Sequence, residues 1–125
     1  MEDVHKNKAV KTYRDLVVWE KSMQFVTDIY SITKKFPGDE LYSLTNQIRR
    51  SAVSIPSNIA EGFGRNTKKE FKRFLNISMA SVFEIQTQIR ISLNLGYIDS
   101  SVFDKIFESS REIERMLSSL IQKLK

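Results

Sequence analysis

The chain has 125 residues, 41% hydrophobic and 28% charged, the size and mix of one globular domain. Only four Gly and two Pro leave little turn-forming material, which argues against a many-stranded sandwich or barrel and for a few long helices. The absence of Cys excludes disulfides, thiolate metal sites and a Cys nucleophile, and a single His, His5, removes most metal and acid-base chemistry.

Twenty Lys and Arg against fifteen Asp and Glu give a net charge of +5, a balance that favours a polyanionic partner. The excess lies in the first three quarters of the sequence. No uncharged apolar run reaches the roughly 18 residues that a membrane span needs. The polar start, MEDVHKNKAVKTYRD, is unlike a signal peptide, so a soluble cytoplasmic protein is expected.

Residues 1–12 are polar and basic without periodicity, and a flexible arm is expected there, with the folded domain spanning residues 13–125. Leu16, Trp19, Met23, Val26 and Tyr30 recur at spacings of three and four, which predicts the inner stripe of a first helix. Phe36-Pro37-Gly38-Asp39 stops it. A second helix capped at or near Asp39 runs to about Phe63, with Leu41, Leu44, Ile48, Ala52, Ile55 and Ile59 inward. Pro56 lies inside it and removes one backbone donor, so a kink is expected, with Ser54, Ser57 and Asn58 softening its cost. Gly62 and Gly64 mark its exit.

Thr67-Lys68-Lys69-Glu70 has the capping-box pattern and opens a third helix. Phe71, Leu75, Ser78, Val82, Ile85 and Ile89 form its seam, Ser78, Ala80 and Ser81 permit close approach of a neighbour, and Gly96 ends it at C′. Ser101 with Asp104 repeats the capping pattern, and Phe103, Ile106, Ser110, Ile113, Leu117, Leu120 and Leu124 carry the fourth seam. Short connections make neighbours antiparallel, so the predicted fold is an all-α, up-down-up-down four-helix bundle with its second helix kinked at Pro56.

Bundle metal sites need carboxylates from all four helices with Glu-x-x-His pairs, and the one His lies in the arm. Glu61 and Glu84 fall near inner faces. They can meet as a catalytic pair, or serve in ion pairs with Arg49, Arg90 or a helix N-terminus, which is the commoner role of such residues. No catalytic set, metal or cofactor is expected. Gly62-Phe63-Gly64-Arg65-Asn66 lacks the Gly-Lys-Ser/Thr ending of a phosphate loop and reads as an interhelical turn. It leads into a helix start crowded by Arg65, Lys68, Lys69, Lys72 and Arg73, opposed only by Glu70. Helix amides ringed by cations suit a phosphate backbone, while a solvated basic turn is the ordinary alternative. Arg49 and Arg50 are candidates to extend the patch. Apolar residues beyond one seam, among them Val18 and Phe25 on the first helix and Phe107 and Met116 on the fourth, either widen the core or form an oligomer interface.

The stretch QIRRSAVSIPSNIAEGFGR, residues 47–65, resembles the signature of the 23S rRNA intervening-sequence protein family. Phe74-Leu75, Ser81, Glu84, Leu95-Gly96-Tyr97-Ile98 and Leu16-Val17-Val18-Trp19 fit as well, so the likeness covers roughly residues 13–124. The resemblance implies a short antiparallel bundle, often a homopentamer, with no enzymatic activity, encoded in some bacteria within insertions in ribosomal RNA genes. It extends to the accessory variability determinant of diversity-generating retroelements, a basic pentamer that binds nucleic acid and its reverse transcriptase. The expected function is therefore a non-enzymatic oligomeric scaffold that binds RNA or DNA through the basic turn. The alternative is a protein-interaction adaptor with no direct nucleic-acid role, whose charges serve only solubility; a partner protein such as a reverse transcriptase is also implied by the resemblance.

Overall fold

The computed structural model describes residues 9–125. Its four long helices are α1 (Val17–Thr33), α2 (Asn46–Phe63), α3 (Lys68–Asn94) and α4 (Ser100–Lys123), and the described residues contain no strand. Consecutive helices pack on one another and α1 packs on α4, closing a four-helix bundle in which α2 and α3 form the most extensive pair. Most of the region expected as a flexible arm lies outside the described residues. Within it, Thr12 caps a short 3-10 turn at Tyr13–Asp15, and the Asp15 carboxylate accepts from the Lys11 and Thr12 amides at 2.9 and 3.1 Å.

The inner stripe of α1 differs from the one that hydropathy selects. Val18, Ser22, Phe25, Ile29 and Thr33 are buried, whereas Met23 and Tyr30 are exposed and Trp19 and Val26 are half-buried. Both stripes have spacings of three and four. The buried one is interrupted by two hydroxyls, so it scores as less apolar. Those hydroxyls are satisfied within their own helix, Ser22 donating to the Trp19 carbonyl and Thr33 to the Ile29 carbonyl, each at 2.8 Å, which removes the cost of burying them.

This rotation corrects the assignment of interface residues. Val18 and Phe25, 5% and 1% exposed, belong to the monomer's own core and have no surface left to give a partner. Phe107 and Met116 are half-buried against that core. Among the described residues, every strongly exposed large apolar side chain lies before α4, and α4 contributes none.

The second helical segment begins in steps: a 3-10 turn at Gly38–Glu40, a π-helical turn at Leu41–Thr45, then α2. Glu40, the neighbour of Asp39, makes the start. Its carboxylate accepts from the Tyr97 hydroxyl at 2.6 Å, the Ser43 hydroxyl at 2.8 Å and the Leu44 amide at 3.5 Å. The Phe36 and Tyr97 rings pack beside it with centroids 5.2 Å apart. The first and third connections therefore meet at one end of the bundle, as alternating helix directions require. Leu41, placed in the inner stripe by its spacing, is exposed because the wider π turn rotates it outward.

Helix α2 continues through Pro56, which is buried. Around it, Asn58 donates to both the carbonyl and the hydroxyl of Ser54 at 2.9 Å, Ser81 donates to the Ser54 hydroxyl at 2.8 Å, and Ser78 donates to the Ile55 carbonyl at 2.9 Å. Ser57 points to solvent and takes no part. Gly62 is not a helix exit. It lies inside α2, where a Cβ would sit 2.6 Å from the Phe74 Cβ and 3.2 Å from the Phe71 carbonyl oxygen. The missing side chain lets α2 and α3 touch.

Helix α3 starts as its pattern predicts, with the Thr67 hydroxyl accepting from the Glu70 amide at 3.1 Å. Gly96, at φ +78°, ends it in a Schellman arrangement: the Tyr97 amide donates to the Ser92 carbonyl at 2.9 Å and the Gly96 amide to Leu93 at 3.0 Å. Helix α4 begins earlier than its pattern suggests. Asp99 is the cap, accepting from the Val102 amide at 2.9 Å.

Two measurements test these contacts. In Gly62→Ala the new methyl meets atoms fixed to backbone, so an overpacking cost of about 1–3 kcal/mol should outweigh the ~1 kcal/mol gain in helix propensity. Gly64→Ala meets nothing closer than 3.6 Å and should leave denaturation midpoints unchanged or raised. The bonds at Glu40, that from Tyr97 foremost, hold its carboxyl below its ordinary value near 4.5, and the same bond raises the Tyr97 phenol above 10.0. The carboxylate's share of stability is therefore present above about pH 4.5 and lost as pH falls through its lowered value. The phenol's share is present below pH 10.0 and lost as pH rises through its raised value. Tyr97→Phe should abolish the alkaline loss and reduce the acid loss in denaturation profiles against pH.

Candidate nucleic-acid interface

The turn between α2 and α3 is short because Gly64, Arg65, Asn66 and Thr67 reverse the chain directly over the Gly62–Phe74 contact. That places Arg65 and Arg73 on the same ring. Their guanidinium carbons lie 4.7 and 4.5 Å from the Phe74 centroid, within cation–π range. Phe63 and Phe71 meet edge to face close by, 5.9 Å apart.

Both arginines also have carboxylate partners. Arg65 donates to Glu61 at 2.7 Å, and Arg73 donates to both oxygens of Glu70 at 3.2 Å. The Arg73 guanidinium holds the Glu70 carboxyl below its ordinary value. Glu70 is thus turned toward Arg73 in place of the return bond to the Thr67 amide that a full capping box requires. The two guanidinium groups are positioned but partly neutralised.

Lys68, Lys69 and Lys72 have no carboxylate at ion-pair distance among the described residues, and Lys69 acts on Glu70 only through space. They occupy the first turns of α3, Lys68 and Lys69 exposed and Lys72 half-buried. Lys68 and Lys72 share one face of the helix by their i,i+4 spacing. The first α3 amides, unpaired within the helix, add partial positive charge at the same place.

Arg49 and Arg50 do not join this cluster. Along α2 they lie roughly 20 Å from the turn at 1.5 Å per residue. Arg49 is half-buried, donating to the Thr33 hydroxyl at 2.9 Å and covering the Tyr30 ring at 4.6 Å, so it links α1 to α2. Arg50 is exposed. Glu61 and Glu84 are not brought together either. Gly62 packs at the level of Phe74 and Ser54 at the level of Ser81, so antiparallel α3 carries Glu84 away from Glu61. Arg90 covers the Phe103 ring at 4.6 Å.

Phe74 is the residue that sequence reasoning missed. It entered only through the family-like Phe74-Leu75 pair and lay outside the predicted seam of the third helix, yet it is 8% exposed. Nothing in the spacing reveals that cations nine residues before it and immediately before it both settle on its ring.

Fold and site together define a small helical bundle with a cationic interhelical turn. The sequence model of the 23S rRNA-intervening sequence protein family matches residues 14–119, and the chain belongs to that family. It is also similar to a crystal structure from Bacteroides thetaiotaomicron, a protein of unknown function from the S23 ribosomal protein family. The two share 28% identity over 85% of this chain and 96% of that one, with a TM-score of 0.79. A search of curated proteins finds no match. Among the described residues no helix is long and apolar enough to cross a membrane.

Phe74→Leu keeps an apolar filler but removes the ring. It should cost about 1–3 kcal/mol in chemical denaturation and abolish ring-current shifts of the Arg65 and Arg73 side-chain protons in NMR spectra.

Proposed function

We propose that this protein is a non-enzymatic oligomeric scaffold that binds RNA or DNA through the α2–α3 turn. The observation that carries the reading is the concentration of Lys68, Lys69 and Lys72, without carboxylate partners, at the start of α3 beside two ring-stacked arginines. Three ammonium groups at the first turns of a helix suit phosphate oxygens, which carry no base sequence. Arg65 and Arg73 strengthen the site when a phosphate displaces Glu61 or Glu70 from the guanidinium fork. A family linked to intervening sequences of 23S rRNA supports RNA as the first ligand to try. A charge of only +5 per chain suffices where an assembly repeats the turn and several weak contacts act together.

The test is fluorescence anisotropy with structured RNA at rising salt. Affinity should fall steeply and linearly on a log–log plot, with little dependence on sequence. Lys68→Glu combined with Lys72→Glu should weaken binding at least tenfold at low salt and reduce the slope by about two. Unchanged affinity in that variant overturns the assignment.

A further inference from the structure

A second group of cations and aromatic rings lies far from the basic turn in sequence, and folding brings it to the same end of the bundle. Arg49, near the start of α2, bonds Thr33, the last residue of α1, so α1 and α2 run in opposite directions and α1 begins where α2 ends. The 3-10 turn at Tyr13–Asp15 comes immediately before α1 and packs on α2. Lys11 and Arg14 therefore stand at the end that carries Arg65, Lys68, Lys69, Lys72 and Arg73, and both are exposed.

At this turn the side chains build outward from the core. Trp19 is half-buried and packs on the core, the Tyr13 ring meets it edge to face with centroids 5.1 Å apart, and the Arg14 guanidinium lies 5.3 Å from the Tyr13 centroid. Arg14 also donates to the Tyr13 hydroxyl at 3.5 Å. Unlike Arg65 and Arg73, it has no carboxylate on its fork among the described residues. Asp15 accepts instead from the Lys11 and Thr12 amides.

A planar cation anchored on an aromatic ring is a stacking partner for a base that is not already paired inside a duplex. Phosphate binding alone does not require such a plane, because the lysines of the α2–α3 turn supply its charge. We propose that the nucleic acid bound at this end is unpaired there, its phosphates held by the α2–α3 turn and one base stacked on Arg14 and Tyr13. A duplex keeps its bases inside the helix, so it reaches the phosphate contacts and not the stack.

This inference rests on the nucleic-acid reading proposed above and names the form of nucleic acid. Trp19 is the only tryptophan and touches Tyr13, so its emission reports the stack. An unpaired RNA strand should quench Trp19 and bind at least about fivefold tighter in anisotropy than a blunt-ended duplex with the same number of phosphates, and the duplex should leave the emission unchanged. Arg14→Lys retains the charge and removes the plane. It should lower single-strand affinity by about fivefold, erase the preference over duplex and leave the slope against salt unchanged. Equal affinity for strand and duplex, strand binding without a change in Trp19 emission, or an Arg14→Lys variant that keeps the preference overturns the stack while the nucleic-acid reading stands. Absence of binding to either RNA, or binding indifferent to Lys68→Glu combined with Lys72→Glu, overturns both.

Discussion

The approach of α2 to α3 at Gly62 governs much of the molecule. Cβ of Phe74 occupies the space where any other residue at position 62 would place its own, so the two helix axes come together there. Small side chains extend the contact: Ala52 is fully buried on α2, and Ser78 and Ser81 on α3 reach across to the Ile55 carbonyl and the Ser54 hydroxyl. The Ser78 bond satisfies a fully buried hydroxyl, where an unpaired one would cost roughly 1–3 kcal/mol, and the Ser81 bond lies part-buried beside it. They also fix the register of the pair. A slide by one turn would break both bonds and drive Gly62 away from Phe74.

That register explains why the cationic end has its particular form. With α2 and α3 in contact, the reversal at residues 64–67 has no room to wander, and Arg65 falls onto the ring that Arg73 already covers. Arginine and lysine then divide the work by their chemistry. The planar guanidinium groups stack on Phe74 and pair with fixed carboxylates, whereas Lys68 and Lys69 are exposed point charges. A modest net charge thereby becomes a local concentration of positive potential at one end of the bundle.

The opposite end is organised by a single carboxylate. Glu40 gathers the Tyr97 hydroxyl, the Ser43 hydroxyl and the Leu44 amide, joining the first and third connections. The π-helical turn that follows keeps Thr45 inside and turns Leu41 and Tyr42 out. The two ends thus differ in character: one presents cations, the other an exposed aromatic side chain.

Sequence alone determined the number of helices, most of their ends and the inner seams of α3 and α4, because heptad spacing, Thr67 and Gly96 act over a few residues of local backbone. It also located the cationic turn, since clustering along the chain survives folding. The phase of α1 was not legible. Two stripes at equal spacing compete there, and the winner contains Ser22 and Thr33, whose acceptability depends on hydrogen bonds that hydropathy does not register. For the same reason Val18 and Phe25 read as surplus surface and proved to be core. The roles of Gly62, Glu40 and Phe74 were likewise decided only by tertiary structure. Each depends on an atom contributed by another helix or connection, and the chain brings those atoms together only when the whole bundle closes.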